Sequence, residues 1–179
     1  MGKIHPPQPV KLFVGVFTSL PDILPEVERR LSALHGTVDL RSQVFPFDFT
    51  HYYDDEMGSP IHRYFLSFLR LINPEEIAAI KIRTNEIEAA LASDWSQVRR
   101  PANLDPGYLE QSKIVLASTK NFYHRLYLSG GIYAEVTLHF ENGGWKTLPW
   151  TFPDFQSTRY HSFFTGLRGV YRAQLHDRD

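Results

Sequence analysis

The sequence predicts a single α+β domain over residues 1–179, built on a mixed or mostly antiparallel sheet with helices packed on one side and a helix at the C-terminal end. Three observations predict it. Residues 10–17 (VKLFVGVF) are apolar almost without a break, as a strand covered on both faces requires. Residues 124–140 (HRLYLSGGIYAEVTLHF) hold two alternating runs around Ser129-Gly130-Gly131, a turn tolerant of positive φ. Two other segments repeat at the helical period: Ile77, Ile80, Thr84, Ile87 and Leu91 within 73–91, and Tyr160, Phe163, Phe164, Leu167 and Tyr171 within 157–175.

In chain order, residues 1–9 form an extended arm, because the prolines of HPPQP fix their own φ and bias their neighbours away from helix. After the strand at 10–17, residues 21–36 read as a helix with Val27, Leu31 and Leu34 on one stripe and Gly36 ending it. Residues 38–53 read as extended, with Phe45, Phe47 and Phe49 directed to the core and Asp48, Thr50 and Tyr52 to the other side. Residues 61–72 (IHRYFLSFLRLI) show helical spacing through Ile61, Phe65, Phe68 and Ile72. The helix at 73–91 opens on Asn73 as N-cap, Pro74 at the first position and Glu76 completing a capping box.

A polar connection, 93–101, leads to Asp105-Pro106-Gly107, where Asp105 can cap and Pro106 can begin a helix running to residue 119. The β-branched pair Ile114-Val115 permits a strand there as well. In the second arm of the hairpin, Ile132, Ala134, Val136, Leu138 and Phe140 fall on one face and Tyr133, Glu135, Thr137 and His139 on the other. Asn142-Gly143-Gly144 then turns into 145–152, an edge strand because Pro149 has no N–H to donate.

Composition narrows the function classes. A net charge of −1 gives no global field toward nucleic acid, so nucleic acid is not an expected partner. There is no cysteine, which removes disulfides, thiolate metal sites and cysteine nucleophiles, and fits a cytoplasmic location. No apolar run is long enough to span a bilayer, so no membrane is expected. Phosphate loops, GxGxxG after a strand, HExxH and GxSxG are all missing, and Asp55-Glu56-Met57-Gly58 matches a short DxxG pattern only by chance.

Three constellations remain. If the segment at 45–53 shares a sheet face with the second hairpin arm, Asp48, Glu135 and His139 come together, as catalytic acid–base groups or as ligands for a divalent cation. Lys120, His124 and Arg125, with Ser118 and Thr119 beside them, form a cationic series suited to a phosphate or carboxylate. Asn103 and Asp105 stand at a strand-to-helix turn, where ligands often approach. The bland alternatives are a solvated sheet face, a charged rim beside a hairpin and a helix cap. Asp54, Asp55 and Glu56 read mainly as wet loop.

The blocks PQPVKLFVG, FPFDFTHYY with EMG, IKIRTNEIE, NLDPGYL, LASTKNFYHRLYL, GIYAEVTLHF and LPWTFPD resemble an uncharacterised bacterial family catalogued as domain of unknown function 4416. Genomes sometimes label its members GTP-binding, and the resemblance implies no established activity or catalytic residues. From the residues themselves, the leading expectation is an enzyme or binding protein for a phosphorylated or otherwise anionic, nucleotide-like small molecule. Alanine variants of Glu135 and Arg125 are expected to fold and to lose the ligand. The rival is a noncatalytic interaction or assembly protein presenting Tyr52, Tyr53, Trp145, Trp150 and Phe155.

Overall fold

A computed structural model describes residues 2–177. Nine strands make one antiparallel sheet: β1 (Val10–Thr18), β2 (Val38–Arg41), β3 (Phe45–Phe47), β4 (Ile61–Ile72), β5 (Asn103–Leu109), β6 (Lys113–Ser118), β7 (Leu126–Ser129), β8 (Ile132–Glu141) and β9 (Gly144–Thr147). Their order is β2-β4-β1-β5-β6-β8-β7. β2 and β3 share the outer edge of β4, while β7 and β9 share the outer edge of β8. The helices are α1 (Leu24–His35), the single turn α2 (Asp54–Met57), α3 (Ile77–Asp94) and α4 (Thr158–His176).

Every residue of β1 is buried, because helices cover both faces of the sheet at its centre. Val10, Leu12, Val14 and Val16 pack with Val27 and Leu31 of α1 and Ile77, Ile80, Ile87 and Leu91 of α3. Phe13 turns the other way, into the cluster that α4 covers with Tyr160, Phe163, Phe164, Leu167 and Tyr171. Rings of Phe13, Phe65 and Phe164 meet edge to face there, at centroid distances of 5.1–6.3 Å. Each fully buried phenylalanine contributes about 1.5–3 kcal/mol. The arm before β1 has no regular structure over its described residues, and Tyr171 Oη donates to the Pro9 carbonyl at 2.7 Å to hold its end.

The helices expected at 21–36, 73–91 and 157–175 are present, and Glu76 accepts the Asn73 N–H at 2.7 Å as a capping box requires. Residues 61–72 are instead the strand β4, between β1 and the edge strands β2 and β3. The four residues of the expected stripe go to three different clusters: Phe68 and Ile72 face α1 and α3, Phe65 faces α4, and Ile61 joins Phe17 and Met57. A strand apolar on both faces contains helical spacings by coincidence. Residues 105–119 likewise form β5 and β6 around a tight turn closed by Glu110 N–H to Lys113 O at 2.9 Å. Gly107 lets the two strands meet closely, since a Cβ on it would stand 2.5 Å from the Val115 carbonyl.

The extended segment 38–53 breaks at 42–44, and β3 is only three residues long. Phe45 is buried as expected, but Phe47 is half-buried and Phe49 is 42% exposed. The alternation fails after Phe47 because the chain leaves the sheet and folds back as a loop before α2.

Candidate functional site

β5 and β6 are paired only from Gly107↔Leu116 to Leu109↔Ile114, so residues 103–106 and 117–118 diverge. The rest of β5 stays paired to β1, and the rest of β6 to β8. The sheet therefore splits. Leu104, Pro106 and Tyr108 turn their backbone groups toward the β6 edge, and Pro106 has no N–H to offer there. The lost ladder is replaced from α3: Glu88 Oε1 accepts the Leu104 N–H at 2.8 Å and Lys81 Nζ donates to the Leu104 carbonyl at 2.7 Å. Buried backbone groups need partners, and two charged side chains supply them.

The split opens a cleft of about 650 Å3, a size that suits a metabolite. Its β5 wall carries Asn103 and Asp105, its β6 and β8 wall carries Ser118, Thr119, Lys120, Arg125 and Glu135, and α3 contributes Lys81, Asn85 and Glu88. Aromatic rings cover the side nearest β1: Phe17, Phe47, Tyr53, Phe152 and Phe155. Tyr53 stacks on Phe17 at 5.8 Å, and Phe47 meets Phe17 edge-on at 4.5 Å.

At the base, Asp105 is held by Arg63 Nη1 (3.2 Å), Asn103 Nδ2 (2.8 Å) and Lys81 Nζ (3.6 Å). Burial pushes its carboxyl up, but Lys81 and Arg63 outweigh that and hold it below the usual carboxylate range. Glu88 goes the opposite way, its carboxyl driven up by burial against the pull of Lys81 and of Arg100, whose Nη2 lies 2.8 Å away. Asp154, buried beside Arg63, is also driven up by burial.

Glu135 centres the opposite wall. Its Oε2 accepts from Arg125 Nε at 2.7 Å and sits 2.9 Å from His124 Nε2, while Arg125 Nη1 also reaches Ser118 Oγ (3.1 Å) and the Lys120 carbonyl (2.9 Å). His124 lies flat on Trp150, with ring centroids 5.1 Å apart. Arg125 and Glu135 line the cleft and His124 backs them. Lys120 sits at the rim with Nζ 5.4 Å over the Tyr52 ring, and no carboxylate among the described residues forms an ion pair with it.

The expected set of Asp48, Glu135 and His139 is not brought together. Asp48 is exposed beyond the end of β3, and β3 lies across β4, β1, β5 and β6 from β8. His139 pairs in register with Lys113, but Glu135 pairs with Leu116, and the register shifts between Val136 and Leu138. That bulge at Thr137 reverses the alternation. Ile132 before it packs toward α3 and Leu138 after it packs toward α4, which puts Glu135 on the α4 side and His139 on the other. His139 meets Glu141 at 3.6 Å instead. Among the described residues, no three His, Asp or Glu side chains are placed to hold a metal ion.

Asp105 is not a helix cap but a strand residue at the base of the cleft, with Asn103 beside it. The stretch at 47–53 does border the site, through Phe47, Phe49, Thr50, Tyr52 and Tyr53. In the acidic run, Asp54 pairs with His51 at 2.8 Å and Glu56 reaches the cleft rim near Arg100, while Asp55 is exposed. Of the expected interface aromatics, Trp145 and Phe155 are buried in the core and Trp150 is half-buried with Nε1 donating to Val136 O; Tyr52 alone is largely exposed.

Sequence reasoning missed Arg63, Lys81, Glu88, Arg100 and Asp154. One signal for α3 was present: Lys81 and Glu88 flank the buried Thr84 at helical spacing, a polar line beside the apolar stripe. Arg63 had a signal only once residues 61–72 are read as a strand, since it then faces the same way as Phe65. No helix among the described residues is long and apolar enough to cross a membrane.

The family described as Domain of unknown function (DUF4416) matches residues 8–171. No curated protein and no solved structure matches the chain.

Proposed function

The chain belongs to the DUF4416 family, and we propose that it binds a small anionic metabolite with a flat ring, of nucleotide-like chemistry, in the cleft between β5 and β6. The observation that carries this reading is Lys120: an ammonium without a carboxylate partner among the described residues, at the rim of an aromatic-walled cleft, beside Ser118, Thr119 and Arg125. An unpaired cation next to hydroxyls and a guanidinium suits phosphate or carboxylate oxygens, and Phe47, Tyr53 and Phe152 offer ring faces for the planar part. Asn85 and Asn103 supply neutral donors and acceptors between them.

The test is a thermal-shift screen against nucleotides and phosphorylated metabolites, repeated with Lys120→Ala. A ligand at about 100 times its Kd stabilises by about 2.7 kcal/mol. The expected result is a shift that Lys120→Ala reduces with no change in the unliganded protein. A shift of equal size in both proteins would remove Lys120 from the site.

A second reading has its own observation. Phe122, Tyr123, Leu126 and Tyr127 are each more than half exposed, and β7 is an edge strand without charge or proline to block pairing. An interaction role for this surface predicts self-association or partner binding that Leu126→Lys abolishes, measured by light scattering after gel filtration.

A further inference from the structure

We infer that the deep end of the cleft receives a carboxylate, held by the free edge of Arg63. The inference rests on the reading of the cleft as a ligand site, and adds a second, internal anchor distinct from Lys120.

Arg63 projects from β4 with its side chain 1% exposed, and it lines the cleft. Only Nη1 has a carboxylate, that of Asp105 at 3.2 Å. Nε is buried without a hydrogen-bond partner. Nε and Nη2 share one edge of the guanidinium, and that edge presents two parallel N–H groups at the spacing of two carboxylate oxygens. A buried donor without an acceptor is rare and costly, and a charged one more so. Arg63 itself lines the cleft, so a ligand that reaches its guanidinium can supply the acceptor.

The surroundings hold the guanidinium in place. Its Cζ lies 3.9 Å over the Phe17 ring, 4.9 Å from that of Phe65 and 5.4 Å from that of Phe155. On β1 Arg63 pairs with Phe17, its guanidinium reaches back over Gly15, and a Cβ on Gly15 would stand 2.6 Å from Nη2 and 2.8 Å from Cζ. An alanine would press on the guanidinium and force it to shift. This glycine has an ordinary strand conformation, so its lack of a side chain serves the approach of Arg63 and not a turn.

Three cations converge at this end of the cleft. Arg63, Lys81 and Arg100 share Asp105 and Glu88, and the exposed Glu56 adds only a 3.8 Å contact to Arg100. Asp154 faces the same cleft but makes no ion pair with Arg63 among the described residues. Burial pushes its carboxyl above the usual carboxylate range, against the attraction of Arg63. A carboxylate matches this edge because its two coplanar oxygens meet two parallel N–H groups.

The experiment uses ligand-observed NMR titrations of the full chain with three probes of one size: benzoate, benzamide and phenyl phosphate. Benzoate is expected to bind at least tenfold more tightly than benzamide. Gly15→Ala displaces the guanidinium without removing its charge, and the atoms it meets are the far end of a flexible side chain; it should abolish benzoate binding and leave phenyl phosphate unchanged. Lys120→Ala should do the reverse. Equal binding of benzoate and benzamide overturns the inference while phenyl phosphate binding sustains the cleft, and so does benzoate binding that is lost in Lys120→Ala and kept in Gly15→Ala. Binding of none of the three overturns both readings. The benzoate–benzamide comparison is made on the unaltered chain, so it decides even if Gly15→Ala does not fold.

Discussion

Glu88 accepts the N–H of Leu104 at 2.8 Å, in the place that a neighbouring strand would occupy if β6 stayed paired to β5. The contact ties the fold to the site: a helix side chain repairs the sheet edge whose loss creates the cleft. Lys81 completes the repair at the Leu104 carbonyl, and the same two side chains bring charge to the cleft base.

Glu88→Ala is therefore expected to cost about 3 kcal/mol, because Leu104 N–H and the Arg100 and Lys81 cations lose a buried acceptor together. Glu88→Gln keeps one acceptor for Leu104 and should cost less. Urea unfolding of both variants measures the difference. Equal midpoints for Glu88→Ala and the unaltered chain would mean that the β5 edge finds other partners.

Glu135→Ala, expected from the sequence to fold normally, is instead predicted to destabilise by about 3–5 kcal/mol, since the side chain is 1% exposed and holds both Arg125 and His124. Lys120→Ala, on the exposed rim, should stay within about 0.5 kcal/mol. Chemical denaturation separates the two. A ligand-binding loss in Glu135→Ala would report unfolding as much as contact, which makes Lys120 the better probe.

Gly107→Ala places a Cβ 2.5 Å from Val115 O and 2.7 Å from Phe13 Cζ, a clash with backbone and with a packed ring. The expected cost is about 2–3 kcal/mol. Gly144→Ala meets nothing within 4 Å and serves as the control, with a change within about 0.5 kcal/mol. Thermal unfolding of the pair is the measurement, and comparable melting temperatures would show that β5 and β6 can separate further.

The pH dependence of stability should reveal Asp154. Burial raises its folded value above the ordinary 3.8, against the attraction of Arg63 and with added repulsion from Asp105. The folded chain then holds a proton that the unfolded chain has released, so the contribution is full below pH 3.8 and is lost as pH rises through the folded value. Asp154→Asn lacks this loss. Its stability relative to the unaltered chain should increase as pH rises from about 4 to 7, and a constant difference over that window would place the Asp154 carboxyl in an ordinary environment.

Local pattern determined much of this protein. The all-apolar run of β1, the Ser129-Gly130-Gly131 hairpin and the stripes of α1, α3 and α4 are readable because side-chain period and turn chemistry act over a few residues. So was the cationic series of Lys120, His124 and Arg125, in which Arg125 meets the Lys120 carbonyl and His124 and Arg125 both meet Glu135. The tertiary structure decided what depends on neighbours far along the chain. β4 is a strand because apolar layers cover both its faces, which erases the alternation that would have identified it. A one-residue bulge at Thr137 sends Glu135 and His139 to opposite sides, and period-two counting cannot see an inserted residue. The cleft itself arises where β5 and β6 part and Lys81 and Glu88 satisfy the freed edge, through hydrogen bonds that span 23 and 16 residues and that no single stretch of sequence encodes.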